Sequence, residues 1–170
     1  STRTDLLPQE YIDEFSRLQD NVQPVPFERM LVVLESELKR PWAEVFSELN
    51  PEPLAAASIG QVYEATLLTG EKVVIKLQRP DIKKVVDTDV SLLAFLARLL
   101  ERTIPESRVV RPTVIVDEFF RTLAFELDYR VEANNTIRIA ENLSAHPNIV
   151  VPKVYRDFSS EKVLILEKLD

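Results

Sequence analysis

Four polar side chains in two stretches have the types and spacing to do chemistry: Lys76 in "KVVIKLQ", and Glu126, Asp128 and Glu132 in "FELDYRVEAN". The lysine lies in a run of β-formers, where alternate residues point to opposite faces, so Val73, Ile75 and Leu77 share one face and Val74, Lys76 and Gln78 the other. An isolated strand lysine ordinarily keeps its ammonium in solvent. A functional one needs a carboxylate partner and an anion nearby, because a buried ammonium without them is expensive. Glu126 and Arg130 stand four apart in the acid-first order that makes a surface pair, whereas Asp128 and Glu132 put two like charges on one helical face unless a cation lies opposite. Lys76 is one such cation, and Arg130 or solvent is a simpler alternative.

Upstream, "PLAAASIGQVYEATLLTGEKVVIK" places Ala55, Ala56, Ala57 and Ser58 just before a strand, where a phosphate-cradling loop carries glycines. Glycine serves there because it accepts positive φ and lets backbone approach phosphate closely. Neither a G-x-G-x-x-G nor a Walker lysine motif occurs. The alanines are equally consistent with a tight packing point, and Ser58 and Gln61 with ordinary turn and strand roles.

The elements that must position these groups follow from periodicity. Helices are expected at 8–20, in "FERMLVVLESELK" and, after Pro41, in "WAEVFSEL", which makes the first 50 residues helical. A hairpin follows, turning at "TGE" with Gly70. After Pro80, "DIKKVVDTDVSLLAFLARLLER" reads as a helix opened by Asp81 or Asp87. One longer helix is expected from about Thr113 to Leu143, and a second hairpin in "IVVPKVYRDF" and "KVLILEKL". Trp42 is expected to anchor the short helix, and His146 to be a loop residue. The order suits an α+β layer rather than a parallel sheet.

Bulk composition narrows the class. The 170 residues are 45% apolar and 29% charged, as expected of a folded chain, and the net charge of −7 argues against general nucleic-acid binding. With no cysteine and one histidine, thiolate or histidine-based chemistry has little to work with, and no metal-ligand set is expected. The longest apolar run, "SLLAFLARLL", contains Arg98 and is too short to span a bilayer. Both ends read as cut, which suggests a piece of a longer protein.

Taken together, "STRTDLLPQEYIDEFSRLQDNVQP", "PEPLAAASIGQVYEATLLTGEKVVIKLQRP" and "FELDYRVEANN" resemble the ABC1 family of atypical protein-kinase-like proteins, also called UbiB or aarF-related, over essentially the whole chain. The resemblance implies a kinase-like N-lobe over 51–170, with a small antiparallel sheet and a long C-type helix, preceded by a family-specific helical extension over 1–50. It implies that Ala55, Ala56, Ala57 and Ser58 form an alanine-rich loop over the nucleotide. It also implies that Lys76 contacts ATP phosphates, that Glu132 pairs with Lys76, and that Glu126 and Asp128 form an E-x-D motif engaging a K-x-G-Q lysine expected upstream of Ser1. ATP with Mg2+ is the implied cofactor. The implied partners are the C-lobe and K-x-G-Q segment of the same protein, together with membrane lipid or quinone-biosynthesis proteins. The expected location is cytoplasmic and membrane-associated. Without C-lobe aspartates, this stretch alone is expected to be inactive, while the full-length protein is expected to be an atypical kinase or ATPase supporting ubiquinone biosynthesis. The alternative is a pseudokinase scaffold binding partners or lipid through its helices. Removing the C-lobe is also expected to promote self-association.

Overall fold

The computed structural model describes residues 23–104, 107–146 and 148–169. The helix expected at 8–20 lies outside them. Helix α1 (Phe27–Leu38) sets Met30, Leu34 and Leu38 on one buried stripe at four-residue spacing. It ends at Lys39, whose left-handed φ of 57° turns the chain away. A single 3-10 turn at Trp42–Glu44 follows, and Trp42 packs against the core while its backbone N–H donates to Glu35 at 3.0 Å.

The segment expected to be a third helix is instead strand β1 (Phe46–Leu49), so the first 50 residues are not all helical. It pairs antiparallel with β3 (Gly60–Leu67), as does the two-residue strand β2 (Ala55–Ala56). Strand propensity in "VFSEL" and the open edge of β3 outweigh a weak helical spacing. β3 turns through Gly70, whose φ of 96° needs glycine, into β4 (Lys72–Gln78). β4 in turn pairs with β5 (Val163–Glu167), which completes a five-stranded antiparallel sheet. The expected second hairpin is reduced to one bridge between Val154 and Leu166 and a 3-10 turn at Arg156–Phe158.

Alternation along the strands gives the sheet two faces. Tyr63, Ala65, Leu67, Val73, Ile75, Leu77, Val163 and Ile165 point toward α1 and form the larger core. Leu164 and Leu166 point the other way and join Ala133, with Val74, Tyr129 and Val154 around them. Lys76 shares this second, smaller face. Along the chain β4 is followed by α2 (Ile82–Thr103), the short α3 (Ser107–Val110) and α4 (Pro112–Glu126). α2 opens after Asp81, as one of the two expected starts, although Asp81 contributes no side-chain cap and pairs with Lys84 at 2.9 Å.

The long helix expected over 113–143 is two helices, α4 and α5 (Tyr129–Asn142). Apolar spacing continues through the junction and hides the break. Two polar groups make it. Asp128 is extended at φ −130°, ψ 95° and caps α5 by accepting from the Arg130 N–H at 3.0 Å. Gln78, 2% exposed at the end of β4, donates its side-chain N–H to the Leu127 carbonyl at 2.9 Å and to the Glu161 carbonyl at 3.1 Å. The Val131 N–H then bonds to Asp128 rather than to Leu127, and the Tyr129 N–H to Glu161 at 2.9 Å.

Gln78→Leu keeps the volume but strips the Leu127 carbonyl of its buried donor, an omission that typically costs about 1–3 kcal/mol. An unfolding free energy from urea denaturation lowered by that amount, with faster amide exchange in α5, is the expected result; an unchanged free energy would show that the amide does not hold the junction.

Candidate functional site

Position 76 on β4 sits between Val62 of β3 and Leu164 of β5, so its side chain leaves the sheet from a well-paired centre. Its ammonium meets the Glu132 carboxylate of α5 in a short, charge-assisted contact. The alternatives of an idle surface lysine and of pairing with Arg130 are thereby decided: Glu132 faces Lys76, while Arg130 grips Asp128 through two guanidinium nitrogens and reaches Glu161 at 3.5 Å. The side chains of Lys76 and Glu132 are 34% and 39% exposed, so the pair orients more than it stabilises, contributing about 0–1 kcal/mol. On the same face Lys168 pairs with Glu64 at 2.6 Å.

Two clefts meet at this ion pair. One, of about 340 Å³, is lined by Ala57, Ser58, Ile59, Gly60, Gln61 and Val62 on the strand side and by Lys76, Glu126, Tyr129 and Glu132 on the other. The second, of about 660 Å³, runs along α5 past Asp128, Asn135 and Ile139 and shares Lys76, Glu126, Tyr129 and Glu132 with the first. Of the four loop residues named from sequence, Ala57 and Ser58 line the cleft, whereas Ala55 and Ala56 form β2.

The loop closes without the backbone that makes glycine necessary elsewhere. The Ala57 N–H donates to the Gly60 carbonyl at 2.8 Å, and among the described residues positive φ occurs only at Lys39, Gly70, Asp81 and Arg111. Gly60 is needed for space instead. A Cβ there would stand 2.6 Å from the Tyr129 hydroxyl and 2.7 Å from the Leu77 carbonyl oxygen.

Charge around Lys76 is predominantly negative. Glu126 lines both clefts and has no ion-pair partner among the described residues. Arg130 hydrogen-bonds to Asp128 and holds its carboxyl below the ordinary aspartate value. Burial, then Glu132 and Glu126, push the Tyr129 phenol up to about 12, so its hydroxyl keeps its proton at any physiological pH. Gln61 is only 1% exposed and spends its amide on Val25 and on the Tyr63 hydroxyl, which removes it as a ligand donor. Gln78, Arg79 and Tyr129 lie within the quoted stretches and shape the site, although their types and spacing assigned them no role there. The one sequence signal was the alternation that puts Gln78 on the face of Lys76.

A small antiparallel sheet with a central lysine, a helix glutamate paired to it and a tight loop over the same cleft define a protein-kinase-like N-lobe. The model of the ABC1 atypical kinase-like domain matches residues 17–170, and the chain belongs to that family. It is 40% identical over 169 residues to a probable protein kinase UbiB of Pseudomonas fluorescens strain Pf0-1, covering 99% of this chain and 32% of that protein. A probable protein kinase UbiB of Marinobacter nauticus is 38% identical over 169 residues, covering 99% of this chain and 31% of its own length. The chain thus spans about a third of the curated relatives it matches. Among solved structures it is similar to Rv3197 of Mycobacterium tuberculosis in a complex with erythromycin, with a TM-score of 0.76 and 32% identity over 96% of this chain and 41% of that one.

Because the folded carboxyl of Asp128 titrates below its unfolded value, its ionic contribution is present above about pH 4 and is lost as pH falls through the folded value. Asp128→Asn is expected to lower stability by up to about 1 kcal/mol at pH 7 and by less near pH 3. Urea denaturation at the two pH values measures this, and a deficit independent of pH would assign Asp128 a purely neutral capping role.

Proposed function

We propose that the longer protein binds ATP with Mg2+ in the cleft between the alanine loop and α5. The observation that carries this reading is that the Lys76–Glu132 pair opens onto the same cleft as residues 57–60. Lys76 supplies a cation to the α- and β-phosphates, and Glu132 holds that cation in place. Among the described residues the Ser58 and Ile59 N–H groups meet no backbone acceptor, which suits them to phosphate oxygens. These donors fit a polyphosphate. Among the described residues no three carboxylates cluster as metal ligands, so Mg2+ would draw protein ligands from elsewhere in the longer chain. Bound nucleotide would supply the transferable phosphoryl group, and Lys76, Glu132 and the turn 57–60 would bind and orient it.

In this reading Glu126 receives the lysine of a K-x-G-Q segment. Asp128 joins that contact only if Arg130 releases it, since both its oxygens already accept from the guanidinium. Protein phosphorylation or ATP hydrolysis in support of ubiquinone biosynthesis at a membrane extends the reading through the family resemblance and the relatives' name. No helix among the described residues is long and apolar enough to cross a bilayer, so membrane association would use other means.

A second reading, a partner-binding scaffold, is favoured by one specific feature. α2 and α4 leave Leu92, Phe95, Leu96, Leu99, Phe119 and Phe125 substantially exposed. Residues 1–170 alone are therefore expected to self-associate, with a light-scattering mass that rises with concentration. A constant monomer mass would count against a sticky face.

For the nucleotide reading, thermal denaturation of the full-length protein with Mg-ATP should give a stabilising shift that Lys76→Ala reduces at least tenfold in apparent affinity. Equal shifts in both proteins would remove Lys76 from phosphate binding.

A further inference from the structure

Arg79 follows Gln78 at the end of β4, and its guanidinium enters none of the ion pairs found among the described residues. It is spent on backbone. Its Nε donates to the Ala57 carbonyl at 2.9 Å and one terminal nitrogen donates to the Gln23 carbonyl at 2.9 Å. Its own N–H donates to the Ile59 carbonyl, also at 2.9 Å. One residue thus holds both sides of the alanine turn and, simultaneously, the chain that leads into α1.

A second side chain makes the same connection from the other end of the loop. Gln61 accepts from the Val25 N–H at 2.6 Å and donates back to the Val25 carbonyl at 3.3 Å. Residues 23–25 are therefore bonded at two points to groups that flank the turn 57–60. The two contacts differ in kind. Gln61 is buried and anchored to Tyr63, whereas Arg79 is half-buried and its two side-chain carbonyl contacts lie near the surface, where they can open without disturbing the core.

We propose that Arg79 is a positioning residue of the alanine loop, and that through it the loop and the entry to α1 move as one unit. The significance for ligand binding rests on the nucleotide reading above. The coupling itself rests on the hydrogen bonds. An arginine suits the task because its planar fork aims two N–H groups at two carbonyls at once, whereas a lysine ammonium on a flexible stem satisfies one such geometry at a higher entropic cost. With no glycine at 55–59 to let the turn relax, holding the two ends sets how far the Ser58 and Ile59 N–H groups reach into the cleft.

The test is hydrogen exchange followed by mass spectrometry on the full-length protein, comparing the parent with Arg79→Ala and Arg79→Lys, each with and without Mg-ATP. In the nucleotide-free state both variants are expected to exchange faster by about tenfold at the hydrogen-bonded amides of the two segments, Ala57 and Val25, together, with 73–77 and 163–166 unchanged. Their apparent Kd for Mg-ATP is expected to rise several-fold. The proposal is overturned if exchange at 57–60 matches the parent, if only one of the two segments loosens, if Arg79→Lys behaves as the parent, or if the core strands loosen equally. Should the parent show no protection by Mg-ATP, the nucleotide reading fails, while the nucleotide-free comparison still decides the coupling.

Discussion

A buried carbonyl that an uninterrupted helix would satisfy internally has to find another donor once the helix breaks, and at Leu127 that donor is Gln78. Much of the site follows from this bond. It ties the α4–α5 junction to the last residue of β4, two positions from Lys76, so the strand that carries the lysine also fixes where the glutamate-bearing helix begins. One turn further along α5, Glu132 arrives over the sheet within reach of the ammonium. A continuous helix would have no such register with β4. The capping carboxylate of Asp128 and the Tyr129–Glu161 backbone bond reinforce the same break, so three independent polar contacts agree on its position.

The alanine loop shows which property of glycine a tight loop uses. Positive φ is not required between 55 and 60, and alanine and serine fit there without strain. Closeness is required at one position, Gly60, where the Tyr129 hydroxyl and the Leu77 carbonyl occupy the space of a side chain. Alanine methyls leave the turn stiffer than glycines would, since fewer backbone states are open to them. Its position is then set by what grips its ends.

Electrostatics at the cleft are balanced locally rather than over the chain as a whole. Three carboxylates lie around one lysine, but Arg130 takes up Asp128 and Lys76 takes up Glu132, so that among the described residues Glu126 has no cation of its own. The raised Tyr129 phenol belongs to the same field, since burial and two nearby carboxylates both favour its protonated form. Two separate faces of one sheet make this possible: the large apolar core against α1 carries the packing and frees the smaller face to hold charges.

Sequence alone determined the local features. Period-two alternation placed Lys76 and Gln78 on one face of β4, Gly70 marked the turn, and the E-L-D and alanine motifs pointed to a kinase-like N-lobe of the ABC1 family, which the comparison with relatives establishes. Where local preference was weak, it misled. Residues 46–49 had helical spacing but found an open strand edge, and 113–143 kept apolar periodicity straight through a break made by polar bonds from distant residues. The meeting of Glu132 with Lys76 was implied by the family resemblance but left open by spacing, and only the tertiary structure decided that Arg130 takes Asp128 rather than Glu126 and that Arg79 and Gln61 join the loop to the chain before α1. Those choices depend on contacts 36 to 56 positions apart in several cases, and periodicity, which reads neighbours three or four residues away, carries no information about them.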